Sequence, residues 1–142
     1  MLHGSCPEES LRTILLQAHT VAIAGTFNSP DGDSRTVMSY LLGKGYDVIP
    51  VDPGLAGHRI LSRKVEPTLT GIGKPIDLVN IFRSSEAAGR IIDDALSLPS
   101  LPKYIWLQGD SDNADAADRA EKQGIQIIRN LHPQALLDQL RN

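Results

Sequence analysis

The chain contains, at residues 21–38, the stretch VAIAGTFNSPDGDSRTVM. Its first four residues are small or branched and apolar, and Gly25 ends them, which is typical of a buried parallel strand. Ser34, or Asp33 before it, is the kind of residue that caps the start of a helix. The free amides and the positive dipole end of such a helix attract anions. We therefore predict that the loop between strand and helix holds the phosphates of a nucleotide-type ligand.

Strands and helices alternate along the rest of the chain. Apolar runs predict further strands at residues 46–51, 76–82, 104–107 and 125–128, and apolar periodicity or capping residues predict helices at residues 5–18, 34–42, 84–96, 112–123 and from 133 onward. Residues 55–75 are predicted to be an irregular crossover with one helical turn near Leu69. Pro50 lacks a ladder donor, so the regular pairing of the second strand is expected to stop just before it.

This alternation predicts an α/β fold in which helices cover both faces of a mostly parallel sheet of about five strands. A length of 142 residues fits one domain, residues 1–142, with the helix within residues 1–18 packed on the sheet. In such sheets the ligand binds beyond the carboxyl ends of the strands, where the winding reverses. The loops after the strands are therefore the expected place for a functional site.

Composition excludes several classes of function. The net charge of −3 and the absence of a clustered basic face argue against nucleic-acid binding. The single cysteine, Cys6, supports neither a disulfide framework nor a cysteine-based metal site, and the histidines lack metal-ligand spacing. No apolar run approaches the roughly 18 residues of a membrane span. We expect no metal, no membrane partner and a cytoplasmic location.

The first loop matches neither common nucleotide motif. The glycine after Gly25 is Gly32, so the dinucleotide fingerprint Gly-x-Gly-x-x-Gly is absent, and no lysine stands at the helix start as a triphosphate loop requires. The loop is longer than the fingerprint turn. Its hydroxyl and amide side chains can therefore donate to phosphate oxygens alongside the backbone, and these are Thr26, Asn28, Ser29 and Ser34.

Four stretches together resemble the small stand-alone coenzyme A-binding proteins, whose domain is similar to the N-terminal domain of the succinyl-CoA synthetase alpha subunit. The stretches are AGTFNSPDGDSRTV at residues 24–37, GYDVIPVDP at residues 45–53, DLVNIFRSSE at residues 77–86 and IWLQ at residues 105–108. They occur in the expected order along most of the chain. The resemblance implies a Rossmann-like three-layer α/β/α sandwich that binds coenzyme A (CoA) or an acyl-CoA.

The resemblance also implies a set of binding residues. It places the diphosphate on the first loop and helix start, at Gly25, Thr26, Asn28, Ser29, Ser34, Arg35 and Thr36. It places adenosine near Pro53 and Phe82. Gln108 follows the predicted fourth strand, residues 104–107, and is the last residue of the set. The resemblance places it on the side where the pantetheine arm binds.

The chain departs from the family pattern at three places. Leu131-His132-Pro133 stands where relatives often carry a cysteine, and residues 109–113 are polar and acidic where relatives are more apolar. Asp52 stands where relatives often have a neutral residue. An acid there holds ribose hydroxyls in dinucleotide folds, or it caps its own turn. CoA carries a phosphate on that ribose, and Arg83 is the candidate to compensate the repulsion from Asp52.

No catalytic motif is present, since there is neither a Gly-x-Ser-x-Gly elbow nor a facing Cys-His pair. We therefore predict a CoA or acyl-CoA carrier, sensor or accessory subunit without catalysis of its own. One alternative is an NAD(P)-binding oxidoreductase or redox sensor that uses Asp52 on the ribose. Another is an interaction domain that has lost its ligand. Exposed edge strands leave a homodimer or another protein partner open.

Overall fold

A five-stranded parallel sheet forms the centre of the computed structural model, which describes residues 16–27, 33–108 and 111–129. In chain order the strands are β1 (Thr20–Ala24), β2 (Asp47–Val51), β3 (Arg59–Ile60), β4 (Arg63–Lys64), β5 (Leu78–Ile81), β6 (Tyr104–Leu107) and β7 (Gln126–Arg129). The sheet order is β2-β1-β5-β6-β7, and all neighbours are parallel. Strands β3 and β4 form a separate antiparallel hairpin.

Three α-helices connect the strands within the described part of the chain: α1 (Asp33–Gly43), α2 (Ser85–Leu96) and α3 (Ala114–Lys122). Two short 3-10 turns, Pro53–Leu55 and Leu69–Gly71, lie in the crossover from β2 to β5. The turn predicted near Leu69 is thus present. Helix α2 is capped by Ser84, whose hydroxyl accepts the amide of Ala87 at 3.2 Å.

Alternate residues of each strand face two different cores. On one side Val21 and Ile23 of β1 pack with Val37, Met38 and Leu41 of α1. On the other side Ala22 and Ala24 pack in one apolar cluster with α2 and α3, whose buried residues include Ala88, Ile92, Ala116 and Ala120. Helices therefore cover both faces of the sheet. The predicted Rossmann-like α/β fold is confirmed.

The expectation that regular pairing stops before Pro50 is wrong. The ladder between β1 and β2 continues through the pairs Ile23 with Pro50 and Ala24 with Val51. Strand β2 is at the edge of the sheet, and the carbonyl of Pro50 accepts the amide of Glu66 at 2.9 Å on the outer side. The missing N–H of Pro50 points to that same outer side, so the proline removes no bond to β1.

The hairpin of β3 and β4 was also not predicted, because residues 55–75 were expected to be irregular. Its strands have two residues each, and its turn is formed by Leu61 and Ser62, which have positive φ angles of 48° and 68°. Tight hairpin turns of this kind normally use Asn or Gly at these positions. The sequence therefore carries no turn signal there.

The outer edge of β2 is covered by β4 and the residues that follow it. Arg63 Nε donates to the carbonyl of Val48 at 2.9 Å, and the amide of Asp52 donates to the carbonyl of Glu66 at 3.0 Å. Together with the bond between Glu66 and Pro50, these contacts occupy the outward carbonyls of Val48 and Pro50. Covering an edge in this way blocks strand pairing with another chain.

Both terminal helices predicted from the sequence lie outside the described residues, apart from the end of the first. Leu16 and Gln17 are helical, and Ala18 is 7% exposed in the core on the α1 side. Cys6, His132 and the helix from residue 133 are not described. In the ranges that are, no helix is long and apolar enough to cross a membrane.

Asp77 joins the amino ends of neighbouring strands. Its Oδ2 accepts the amides of His19 at 2.8 Å and Thr20 at 3.0 Å, and its carbonyl accepts the amide of Tyr104 at 3.2 Å. Partial burial opposes ionisation of Asp77, but the two amides and Lys103 outweigh it, so the pKa of Asp77 lies below its ordinary value. The ionised carboxylate therefore stabilises the fold.

Replacing Asp77 with asparagine is expected to lower the free energy of unfolding by about 1 kcal/mol at pH 7. Because the pKa of Asp77 is lowered in the folded state, its stabilising effect is present at neutral pH and is lost as the pH falls below about 4. Urea unfolding at pH 7 and pH 3 should thus show that the free energy of unfolding falls less on acidification for Asp77→Asn than for the wild type. Glu121→Gln, on the exposed face of α3, is the control. An equal fall in the free energy of unfolding for Asp77→Asn and the wild type would contradict a stabilising role for the Asp77 carboxylate.

Candidate functional site

The winding of the sheet reverses between β1 and β5. The chain leaves β1, passes through α1 and adds β2 on one side, and it then crosses to add β5 on the other side of β1. Ligands in open α/β sheets bind at the carboxyl ends of the strands beside such a reversal. The loops after β1, β2, β5 and β6 therefore form the candidate site.

Gly25 brings the start of α1 against the end of β1. A Cβ atom on Gly25 would lie 2.2 Å from Ser34 Oγ and 3.4 Å from the Cβ atom of Phe82. Ser34 is itself 4% exposed. The close approach thus requires glycine at this position, and it directs the first turn of α1, with its orphan amides, toward the carboxyl edge of the sheet.

Asp52 joins two loops of the site. It is 7% exposed, and its Oδ2 accepts the amide of Phe27 at 3.2 Å while its Oδ1 accepts the amide of Gly54 at 3.0 Å. The second bond caps the turn Pro53–Leu55. Each carboxylate oxygen thus accepts a backbone amide, and Asp52 holds the loop after β1 in a fixed position relative to the turn after β2.

Ser111 joins the loops after β5 and β6, a role that was not predicted from the sequence. Its side chain is fully buried, and its Oγ accepts the amide of Arg83 at 2.9 Å. The same oxygen lies 2.9 Å from the carbonyl of Ile81 and 2.6 Å from that of Arg83, and one of these accepts its proton. In the sequence Ser111 is one polar residue within an acidic segment, and only its position after a strand at the ligand edge could have indicated it.

A cavity of about 240 Å³ opens between the ends of β1 and β2 and the first turns of α2. Pro53, Leu69 and Ile91 form part of its apolar lining, and Arg83 and Arg90 contribute two guanidinium groups. Arg90 also donates to Glu86 at 3.1 Å in an exposed pair, which contributes little. In the described residues no ion pair involves Arg83.

The cavity also contains one carboxylate, that of Asp94. Partial burial, and then the neighbouring charge of Asp93, raise the pKa of Asp94 above its ordinary value. Glu86 pairs with Arg90, so Arg83 is the guanidinium of this cavity that has no ion pair in the described residues. The cavity therefore combines apolar surface with this guanidinium, which suits a ligand that combines an aromatic group with phosphate.

The predicted binding residues fall into three groups. Gly25, Ser34 and Phe82 meet where β1, α1 and β5 converge, and Phe82 packs against the core on the α1 side. Pro53 and Arg83 line the cavity. The remaining described residues lie around the carboxyl edge of the sheet. Asp52 contacts two loops and Gln108 is buried after β6, whereas Thr26 is exposed, and on α1 Arg35 is half-buried and Thr36 is exposed.

Asn28 and Ser29 lie outside the described residues. The structure therefore brings Pro53 and Arg83 together but places Phe82 against the opposite core. It adds Arg90, which the sequence presented only as a polar position in a helix. In the ranges described, no group of three or more His, Cys, Asp and Glu side chains could hold a metal ion.

The sequence model of the CoA binding domain matches residues 19–132. The chain belongs to the CoA binding domain family. The chain is also similar to the uncharacterized protein YneT of Bacillus subtilis, with 29% identity over 121 residues, which are 85% of this chain and 87% of YneT. The predicted resemblance to small stand-alone CoA-binding proteins is confirmed by the family match.

Solved structures agree with the fold of this CoA binding domain. A hypothetical protein from Pyrococcus horikoshii OT3 has a TM-score of 0.85 and 28% identity, with 96% of this chain and 94% of that chain covered. The PH1109 protein redesigned for binding has a TM-score of 0.86 and 30% identity, with 97% and 94% covered. Cell-free ID.343 from Thermus thermophilus has a TM-score of 0.84 and 25% identity, with 95% and 99% covered.

Proposed function

We propose that this protein binds CoA or an acyl-CoA across the carboxyl edge of its sheet, as a carrier, sensor or accessory subunit. Membership of the CoA binding domain family supports a ligand of this class. The observation that carries the proposal is the cavity at the carboxyl edge of the sheet, which Arg83 and Arg90 line. The start of α1, at the same edge, is a separate place for a second anionic group of the ligand.

The diphosphate is assigned to the start of α1. Helix amides without intrahelical partners, together with the dipole, favour an anion at this end. Gly25 allows the end of β1 and the start of α1 to approach closely, since a side chain at position 25 would meet Ser34. Arg35, which is half-buried on the first turn, adds a positive charge at the same end.

The phosphate on the ribose is assigned to Arg83 and Arg90. Guanidinium groups bind phosphate through paired, charge-assisted hydrogen bonds. Asp52 opposes this phosphate less than an unbonded carboxylate would, because both of its oxygens already accept backbone amides. These contacts favour CoA over NAD, whose ribose carries no such phosphate. The pantetheine arm would then extend from the diphosphate toward Gln108.

Calorimetric titration with CoA, dephospho-CoA and NAD, at one salt concentration, tests the proposal. We expect CoA to bind with a micromolar Kd, roughly 8 kcal/mol, dephospho-CoA to bind about tenfold to hundredfold more weakly for the loss of roughly 1.5–3 kcal/mol, and NAD not to bind. Binding of NAD in place of CoA would favour the oxidoreductase or redox-sensor alternative. Binding of none of the three would favour an interaction domain that has lost its ligand.

A further inference from the structure

A second cavity, of about 280 Å³, lies on the outer side of the edge strand β2. We call it the hairpin pocket, because the β3–β4 hairpin forms one wall, and Ile72 and Lys74 contribute another. Four cationic side chains line it: Arg59, Arg63, Lys64 and Lys74. It lies beside Val48 and Ile49, whereas the candidate CoA site lies beyond the opposite end of β2.

The hairpin pocket is positive in a protein that is negative overall. Residues 59–74 contain four basic residues and one acidic residue, a net charge of +3, whereas the whole chain carries −3. Asp47 pairs with both Arg63 and Lys74. With the carboxylates of Asp47 and Glu66 set against the four cations, the surroundings of the pocket keep a net charge of +2.

Two of these cationic groups are held in place by the backbone. Arg63 Nε donates to the carbonyl of Val48 at 2.9 Å, and Arg59 Nη1 donates to the carbonyl of Ser62 at 3.1 Å. The turn between them places Leu61 and Ser62 in the left-handed region, which costs roughly 1–2 kcal/mol for each such residue. Backbone strain of this kind clusters at functional sites, and fixed cationic groups lose little entropy on binding an anion.

We propose that the hairpin pocket binds a phosphate monoester of a small molecule. A phosphate monoester carries about −1.5 to −2 charges at pH 7, which matches the net charge of the pocket. Guanidinium and ammonium groups are the usual protein partners of phosphate. The side chains of Ile49 and Ile72 provide apolar surface for the organic part of the ligand. This site is independent of the proposed CoA site.

The test is an amide-resolved NMR titration of the full chain with inorganic phosphate, with chloride keeping the ionic strength constant. We expect saturable shifts for residues 59–66 and for Lys74. Lys64→Gln should weaken the affinity measured from these signals at least threefold. Lys122→Gln makes the same change in charge on the exposed face of α3, beside Asp118, and should leave the affinity unchanged.

Phosphate that binds at the start of α1 would shift Gly25 and Ser34, so the two sites are read separately. Absence of saturable shifts at residues 59–66 would overturn the proposal. So would equal affinities for Lys64→Gln and Lys122→Gln, because the binding would then be a response to overall charge. If the wild type did not bind CoA, the proposed function would be wrong, but the test of the hairpin pocket would be unaffected.

Discussion

Replacing Gly25 with alanine is expected to lower the free energy of unfolding by about 1–3 kcal/mol and to weaken CoA binding about tenfold, which corresponds to roughly 1.4 kcal/mol. The added Cβ would lie 2.2 Å from Ser34 Oγ and 3.1 Å from Ser34 Cβ. Ser34 is 4% exposed, so its side chain has little room to rotate away. The start of α1 must therefore move from the end of β1, and the proposed diphosphate site moves with it.

Two variants make this result specific. Gly43→Ala, at the end of α1, adds a Cβ with no atom within 4 Å, so it should leave CoA affinity unchanged and should not lower stability, because alanine favours the helix over glycine. Gly25→Ala combined with Ser34→Gly removes the atoms that clash and should be more stable than Gly25→Ala alone. Urea unfolding and calorimetry measure both effects. A Gly25→Ala protein with wild-type affinity would show that the diphosphate does not depend on this contact.

Arg83→Gln is expected to weaken CoA binding about tenfold to hundredfold, because a charge-assisted hydrogen bond contributes roughly 1.5–3 kcal/mol. Dephospho-CoA should lose less than about threefold, since it lacks the phosphate that Arg83 is proposed to contact. Arg90→Gln should show the same preference, because both arginines line one cavity. Calorimetric titration of each variant with both ligands measures the two affinities.

Arg119→Gln is the matched control for the arginine variants. Arg119 lies on α3 and binds Asp93 with Nη2 at 3.0 and 3.2 Å, and it does not line the cavity. Its replacement should leave both ligands unaffected. If Arg83→Gln weakened CoA and dephospho-CoA equally, the ribose phosphate would have to lie elsewhere.

The sequence was sufficient for the sheet because its strands are apolar runs bounded by turn residues. The predicted strand at residues 104–107 coincides with β6, and the predicted helix at residues 84–96 nearly coincides with α2. It was insufficient where tertiary position decides. Pro50 is tolerated because β2 is an edge strand and its missing N–H faces outward, and the hairpin turn uses two residues that do not favour positive φ.

The candidate site was predictable to the extent that it depends on which residues follow the strands. Gly25, Asp52, Arg83 and Gln108 all lie at the carboxyl edge because parallel strands end together there. Arg90 and Ser111 could not be inferred in this way. The contribution of Arg90 depends on which face of α2 borders the cavity, and that of Ser111 depends on a buried contact between two loops distant in sequence.

A crystal structure of the protein grown with saturating CoA tests the central claim most directly. We predict the diphosphate within hydrogen-bonding distance of the first amides of α1, the ribose phosphate between Arg83 and Arg90, and the adenine in the cavity beside Pro53. CoA bound with its ribose phosphate away from both arginines, or anywhere other than the carboxyl edge of the sheet, would contradict the assignment of this site.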